Sequence, residues 1–124
     1  MYQSAITATF SAAHYLRNYR GKCENLHGHN WKVEVVVETE VLDDAGMGLD
    51  FTVLKRRTAE VLAGLDHKTL NEVTPFSEEN PSSENIARHI FNALEGMVDD
   101  GRVRLRSVKV WESDTSWAEY RPGP

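Results

Sequence analysis

Residues 23–41, CENLHGHNWKVEVVVETEV, decide the fold because they join a polar loop to the clearest strand pattern in the chain. Between Trp31 and Val41 the odd positions carry valine, tryptophan or threonine, while lysine and glutamate occupy most of the even positions. Successive side chains of a strand point to opposite faces, so this alternation predicts a strand with one covered face. His27 and His29 share the parity of Trp31, and both are therefore expected on the covered face.

A second alternating run, from Tyr2 to His14, precedes this stretch and predicts a half-buried strand. His14 has the parity of the apolar residues in that run, so it is also expected on the covered face. Three imidazoles (His14, His27 and His29) match the ligand set of a catalytic zinc site, in which one coordination position stays open. Neutral imidazole suits zinc, although iron, copper or nickel also accept nitrogen ligands. The alternative is an accidental meeting of core or surface histidines.

Length and composition narrow the class of protein. The chain has 124 residues and a formal net charge of −5, which favours one domain and argues against a non-specific nucleic-acid binder. No apolar run is long enough to span a bilayer and no signal-peptide pattern is present, so we expect a soluble, cytoplasmic protein. A single cysteine fits a reducing compartment and excludes a cysteine-rich structural zinc site.

Two helices are expected in the middle of the chain. Asp50 is expected to be the N-cap of an amphipathic helix that ends near Gly64. Ser82 or Ser83 is expected to cap the second helix, and Gly101 lies beyond its end.

Two strands are expected to close the chain, over residues 102–112 and 116–121, with a bulge near Ser107 where the alternation slips. This order predicts one α+β domain over residues 1–124. Its antiparallel four-stranded sheet would follow the order ββααββ, with two helices on one face.

Besides His14, His27 and His29, a few residues are candidates for a catalytic or binding role. Cys23 lies in a polar loop close in sequence to the expected metal ligands, and a nearby cation favours the thiolate, although a lone cysteine is commonly a small buried apolar residue. Asp66 and His67 follow the first helix, where a histidine is also an ordinary dipole partner. Glu112 ends a strand, and from the residues alone it reads as an exposed carboxylate. His89 is expected to face solvent and receives no role.

Together these motifs resemble the 6-pyruvoyl-tetrahydropterin synthase superfamily, and within it the branch that makes 6-carboxytetrahydropterin for queuosine biosynthesis. The resemblance covers nearly the whole chain, and the order and spacing of the motifs make it specific. The motifs are Phe10-Ser11-Ala12-Ala13-His14, Cys23 with His27-Gly28-His29, Asp50-Phe51, Leu65-Asp66-His67, Pro81-Ser82-Ser83-Glu84-Asn85 and Trp111-Glu112.

The resemblance implies the tunnelling fold (T-fold), a homohexamer with active sites between subunits, and 7,8-dihydroneopterin triphosphate as substrate. It implies zinc on His14, His27 and His29, which would acidify the side-chain hydroxyls of the substrate. The products of that branch are 6-carboxytetrahydropterin, acetaldehyde and triphosphate.

By the same resemblance, Cys23 is the base, supported by Asp66 and His67, and Glu112 anchors the pterin. Ser82 and Ser83 match a pterin-contacting segment, and Phe51 would line the ring pocket. Triphosphate needs cations, for which the nearest candidates are Arg17, Arg20 and Lys22.

Glu24 leaves the product open. The three residues between Cys23 and His27 match the queuosine branch, since the animal-type pyruvoyl synthase has a longer gap. A glutamate directly after the cysteine, however, resembles members that form 6-hydroxymethyldihydropterin for folate synthesis, and a chain with both residues resembles a dual-function subgroup. Glu24 is otherwise a solvated loop carboxylate.

Two non-enzymatic hypotheses also stand. In one, the chain is a zinc- or pterin-binding module in which Cys23 closes the metal site as a fourth ligand. In the other, it is a scaffold subunit in which Cys23, Asp66 and His67 remain dispersed.

Overall fold

The computed structural model describes residues 1–123. A five-stranded sheet in the order β3-β1-β2-β4-β5 carries two α-helices and a short 3-10 turn at Leu70–Glu72. The elements are β1 (Tyr2–His14), β2 (His27–Thr39), α1 (Phe51–Leu62), β3 (Lys68–Thr69), α2 (Ser83–Val98), β4 (Val103–Ser113) and β5 (Ser116–Tyr120).

The hairpin of β1 and β2 is the centre of the sheet. The two strands pair antiparallel along their whole length, from Tyr2 opposite Thr39 to His14 opposite His27. Their alternation is the one expected, because the apolar side chains of the predicted covered face are buried. This register places the histidines together at one end of the sheet.

Both helices pack on the covered face and close the core. Trp31, Val33 and Val35 are fully buried beneath them. The predicted caps are confirmed: the Asp50 side chain accepts a hydrogen bond from the Thr52 N–H, and the Ser82 side chain from the Asn85 N–H.

The predicted bulge is also present. Val36 pairs with Ser107 and Val37 with Leu105, so Arg106 is the additional residue on β4. The alternation slips there because two residues of β4 oppose one step of β2.

The structure corrects three details of the sequence-based expectation. The sheet has five strands rather than four, because Lys68–Thr69 pairs in parallel with Ala12 and Ala13. A two-residue strand is too short to show alternation, so its sequence carries no signal. His89 is half-buried against Phe76 rather than facing solvent, with ring centroids 5.2 Å apart. Val41 lies beyond the end of β2 and is exposed.

Within residues 1–123, no helix combines the length and the apolar character that crossing a membrane requires.

Candidate functional site

Three histidines converge where the β1–β2 hairpin opens. His14 is the last residue of β1, His27 is the first of β2, and His29 follows on the same face. The ring centroids lie 4.7 Å apart for His14 and His27, 5.1 Å for His14 and His29, and 4.9 Å for His27 and His29. His14 is buried, while the other two histidines are half-buried.

Backbone carbonyls orient two of these rings through Nδ1. His14 Nδ1 lies 2.7 Å from the Pro81 carbonyl oxygen, and His27 Nδ1 lies 2.8 Å from that of Asn25. A carbonyl oxygen only accepts, so each Nδ1 must carry the proton and donate it. The Nε2 atoms then carry lone pairs, and histidines that bind a metal usually donate their other ring N–H to an acceptor in this way.

Burial also favours the neutral form of the third histidine, His29. Its ring stands edge-on to Trp31, with centroids 5.0 Å apart. Loss of solvation lowers the pKa of His29; Glu112 opposes this shift, and His14 and His27 reinforce it. A neutral imidazole with an available lone pair is the form that binds a metal.

Glu112 joins the histidines from β4. Its Oε1 lies 3.0 Å from His29 Nε2 and 3.5 Å from His14 Nε2, and its side chain is 38% exposed. From the residues alone this carboxylate read as exposed, and only the resemblance gave it a role. Pairing of Trp111 with Lys32 brings it to the histidines, and such long-range register cannot be read from local pattern.

These four residues form a donor set that fits a divalent metal. Their ligand atoms all lie within 4.8 Å of one another. Within the described chain, His14 Nε2 and His29 Nε2 are buried without a hydrogen-bond partner, since the Glu112 contact lacks hydrogen-bond geometry. Buried polar atoms are normally satisfied, so these two nitrogens indicate a missing partner, and imidazole nitrogen suits zinc.

The loop before the His27-Gly28-His29 segment holds two further candidates. Cys23 is exposed and lines a surface groove together with His27 and Lys22. Glu24 is half-buried and bound to the backbone: its Oε1 accepts the Leu16 N–H at 3.0 Å, and its own N–H donates to the Leu16 carbonyl at 2.9 Å. Glu24 is therefore not the freely solvated carboxylate of the alternative interpretation.

Asp66 and His67 lie at the edge of β1. Asp66 Oδ1 accepts the Ser11 N–H at 2.9 Å, and His67 N–H donates to the Ser11 carbonyl. His67 has a left-handed φ of 57° and a side chain that is 81% exposed, 3.6 Å from Asp66 Oδ2. It shares a surface groove with His29, whereas Cys23 shares a different groove with His27.

Of the residues predicted to contact the pterin, some lie near the histidines and one lies far from them. Ser82 and Ser83 are half-buried and directly follow Pro81, whose carbonyl contacts His14. Phe51 is exposed at the start of α1, beside Ile6 at the middle of β1. At roughly 3.3 Å per residue along the strand, Phe51 is remote from His14 within one chain.

Among the cations proposed for triphosphate, Arg17 is already engaged. Its guanidinium donates to the carbonyls of Asn71, Phe76 and Glu79 at 2.8–3.3 Å. Arg20 and Lys22 are exposed.

Comparison with known proteins identifies the family. The sequence profile described as 6-pyruvoyl tetrahydropterin synthase matches residues 4–123. The chain belongs to the 6-pyruvoyl tetrahydropterin synthase family. A 6-carboxy-5,6,7,8-tetrahydropterin synthase of Synechocystis sp. is 40% identical to it over 117 residues, covering 90% of this chain and 87% of the relative. A dihydroneopterin monophosphate aldolase of Pyrococcus furiosus is 36% identical, with 86% of each chain covered.

The fold agrees with this membership. The 6-pyruvoyl tetrahydropterin synthase of Caenorhabditis elegans superposes with a TM-score of 0.85 at 28% identity, covering 98% of this chain and 96% of that one. The α+β architecture is thus the T-fold of the 6-pyruvoyl tetrahydropterin synthase family, as the motifs predicted.

Proposed function

We propose that this chain is a zinc-dependent 6-carboxy-5,6,7,8-tetrahydropterin synthase, a lyase. It would convert 7,8-dihydroneopterin triphosphate and water to 6-carboxytetrahydropterin, acetaldehyde and triphosphate in queuosine (7-deazaguanine) biosynthesis. The observation that carries the proposal is the cluster of His14, His27 and His29, with Cys23 and His27 lining one groove. The Synechocystis relative and the spacing of Cys23 from His27 support the choice within the family.

The three histidines would hold the zinc through Nε2, since Nδ1 of His14 and of His27 donates to a backbone carbonyl. When bound there, zinc supplies Lewis acidity, which lowers the pKa of hydroxyl groups on the substrate side chain.

The remaining chemistry belongs to the side chains around this cluster. Cys23, exposed beside His27, would remove a proton from the substrate side chain as the base. Asp66 and His67 would carry that proton away, since a histidine beside a carboxylate is suited to accept and return one.

Glu112 would anchor the pterin, because two carboxylate oxygens match adjacent N–H donors of the ring. Ser82 and Ser83 follow the Pro81 carbonyl and would border the same pocket. Phe51 would reach a pocket only from a neighbouring chain, which fits a homohexamer with sites between subunits. Arg20 and Lys22 remain the candidate triphosphate contacts.

A second candidate function is the aldolase-type cleavage to 6-hydroxymethyldihydropterin, alone or beside the first activity. The P. furiosus relative and the Cys23-Glu24 pair favour it. The Glu24 carboxylate, however, accepts the Leu16 N–H, which favours a role in holding the loop. A 6-pyruvoyl-tetrahydropterin product is the third outcome to distinguish.

The deciding experiment is incubation of the zinc-loaded protein with 7,8-dihydroneopterin triphosphate, followed by identification of the pterin product. Carboxytetrahydropterin supports the proposal, whereas hydroxymethyldihydropterin or pyruvoyltetrahydropterin each selects one of the alternatives. Absence of any product, in protein that holds stoichiometric zinc, would favour a binding module.

The variant Cys23→Ala tests the role of the base independently of metal binding. We expect this variant to keep its zinc and to lose about 100-fold or more in product formation, the usual contribution of a positioned base. Cobalt substitution of the wild-type protein tests the closed-site alternative. A thiolate-to-cobalt absorption band that disappears in Cys23→Ala would mean that Cys23 is a fourth ligand.

A further inference from the structure

The segment that follows β1 is held by side chains rather than by another strand. Asn71 pairs with Tyr15 in both directions: its Oδ1 accepts the Tyr15 N–H at 3.0 Å, and its Nδ2 donates to the Tyr15 carbonyl at 2.9 Å. Asn80 pairs with Arg17 in the same way, at 2.8 Å and 3.0 Å. Each asparagine thus satisfies a backbone donor and acceptor that no strand pairs there.

A further hydrogen bond holds the backbone of Asn80. Its own carbonyl accepts a hydrogen bond from Asn85 Nδ2, at the start of α2, at 2.8 Å. Pro81, the next residue, presents its carbonyl oxygen 2.7 Å from His14 Nδ1. Asn80 therefore connects the segment after His14 with the Pro81 carbonyl that orients the His14 ring.

We propose that Asn80 is a positioning residue for His14. By bracing residue 17 against the connector before α2, its side-chain amide holds the Pro81 carbonyl where it accepts the Nδ1 proton and leaves Nε2 available for a metal. The inference rests on the proposed function, because it concerns the same histidine cluster.

The physical reason lies in the Pro81 carbonyl itself. Proline has no backbone N–H, so Pro81 cannot anchor itself to a neighbour through one. Its position depends on the residues beside it, and Asn80 is the adjacent residue with a two-way bond to the His14 segment. Without that brace, the His14 ring would lose the acceptor that selects its tautomer.

The test is the zinc affinity of Asn80→Ala, measured by competition with a chromophoric chelator. We expect affinity about tenfold weaker or more, the usual effect of losing a residue that orients a ligand. Asn92→Ala is the matched control, because Asn92 is an exposed asparagine on α2, and its affinity should equal that of the wild type. Asn80→Asp keeps the acceptor for the Arg17 N–H and should recover part of the affinity.

A second measurement separates positioning from general stability. In the metal-free protein, nitrogen-15 NMR of His14 should report Nδ1 protonation in the wild type and a shift toward Nε2 protonation in Asn80→Ala. If Asn80→Ala does not fold, Asn80→Asp carries both measurements. Wild-type affinity and an unchanged His14 tautomer in these variants would overturn the inference while leaving the proposed function intact. Failure of the wild-type protein to bind zinc would instead overturn the proposed metal site, and with it this inference.

Discussion

At the scale of single residues, burial determines how His89 responds to pH. Its ring packs against Phe76, and loss of solvation lowers its pKa, with Glu79 opposing the shift. In the unfolded chain, the His89 side chain has a pKa near 6.5, so it binds a proton more readily there than in the folded chain. His89 contributes stability above about pH 6.5, and that contribution is lost as pH falls through its lowered folded pKa.

The variant His89→Gln tests this directly, because glutamine does not titrate. Between pH 7.5 and pH 5.5 the free energy of unfolding, measured with urea, should fall less in the variant than in the wild type. Asn92→Ala on the same helix is the control and should keep the wild-type pH dependence. Equal pH dependence in all three proteins would show that His89 titrates alike in the folded and unfolded states.

At the scale of elements, α1 depends on its N-cap. The Asp50 side chain accepts the Thr52 N–H at 2.8 Å, which satisfies one of the free N–H groups at the helix start. Asp50→Ala should lower the free energy of unfolding by about 1 kcal/mol. Asp44→Ala, in the exposed turn before the helix, is the matched control and should change it little. A loss as large in the control as in Asp50→Ala would contradict the capping role.

The elements also show where sequence reasoning succeeds and where it ends. Strand alternation, helix periodicity and caps are local, so β1, β2, the bulge on β4 and both N-caps were predictable from neighbouring residues. Glu112 reaches the histidines through the pairing of β4 with β2, and Asn80 bonds to the backbone of Arg17, both across long sequence separations. Such contacts carry no periodic signal, and neither does the two-residue β3.

At the scale of the whole molecule, β3 covers the outer edge of β1 only at Ala12 and Ala13 within the described residues. The Ser11 N–H and carbonyl point away from β2, toward Asp66 and His67. Thr7 has the same parity, so its N–H also points outward, beyond the reach of β3, which pairs only with Ala12 and Ala13. An open edge of this length favours pairing with another copy of the chain, as the proposed homohexamer requires.

Thr7→Pro removes one outward N–H and leaves the β1–β2 ladder intact. We expect the variant to keep its circular dichroism spectrum but to show a lower mass by light scattering than the wild type. Thr7→Val, which keeps the N–H and favours a strand, should assemble normally. Assembly of the proline variant to the wild-type mass would show that this edge is not an interface.

Assembly also bears on how the proposed catalytic residues meet. Cys23 and His67 line different grooves of one chain, although the proposed proton transfer requires them to act on one substrate. We therefore expect Cys23 of one subunit to work with His67 of its neighbour. His67→Asn is the suitable partner variant, because asparagine tolerates the left-handed φ of 57° at this position.

Cys23→Ala and His67→Asn should each keep only about a hundredth of wild-type activity or less when assayed alone. Mixed in equal amounts, dissociated and reassembled, they should recover about a quarter of wild-type activity, because random assembly around a ring places an intact Cys23 beside an intact His67 in that share of sites. Mixing without dissociation is the control and should recover nothing. If the two groups instead act within one chain, every site of the mixed assembly lacks one of them, and the reassembled protein would stay inactive.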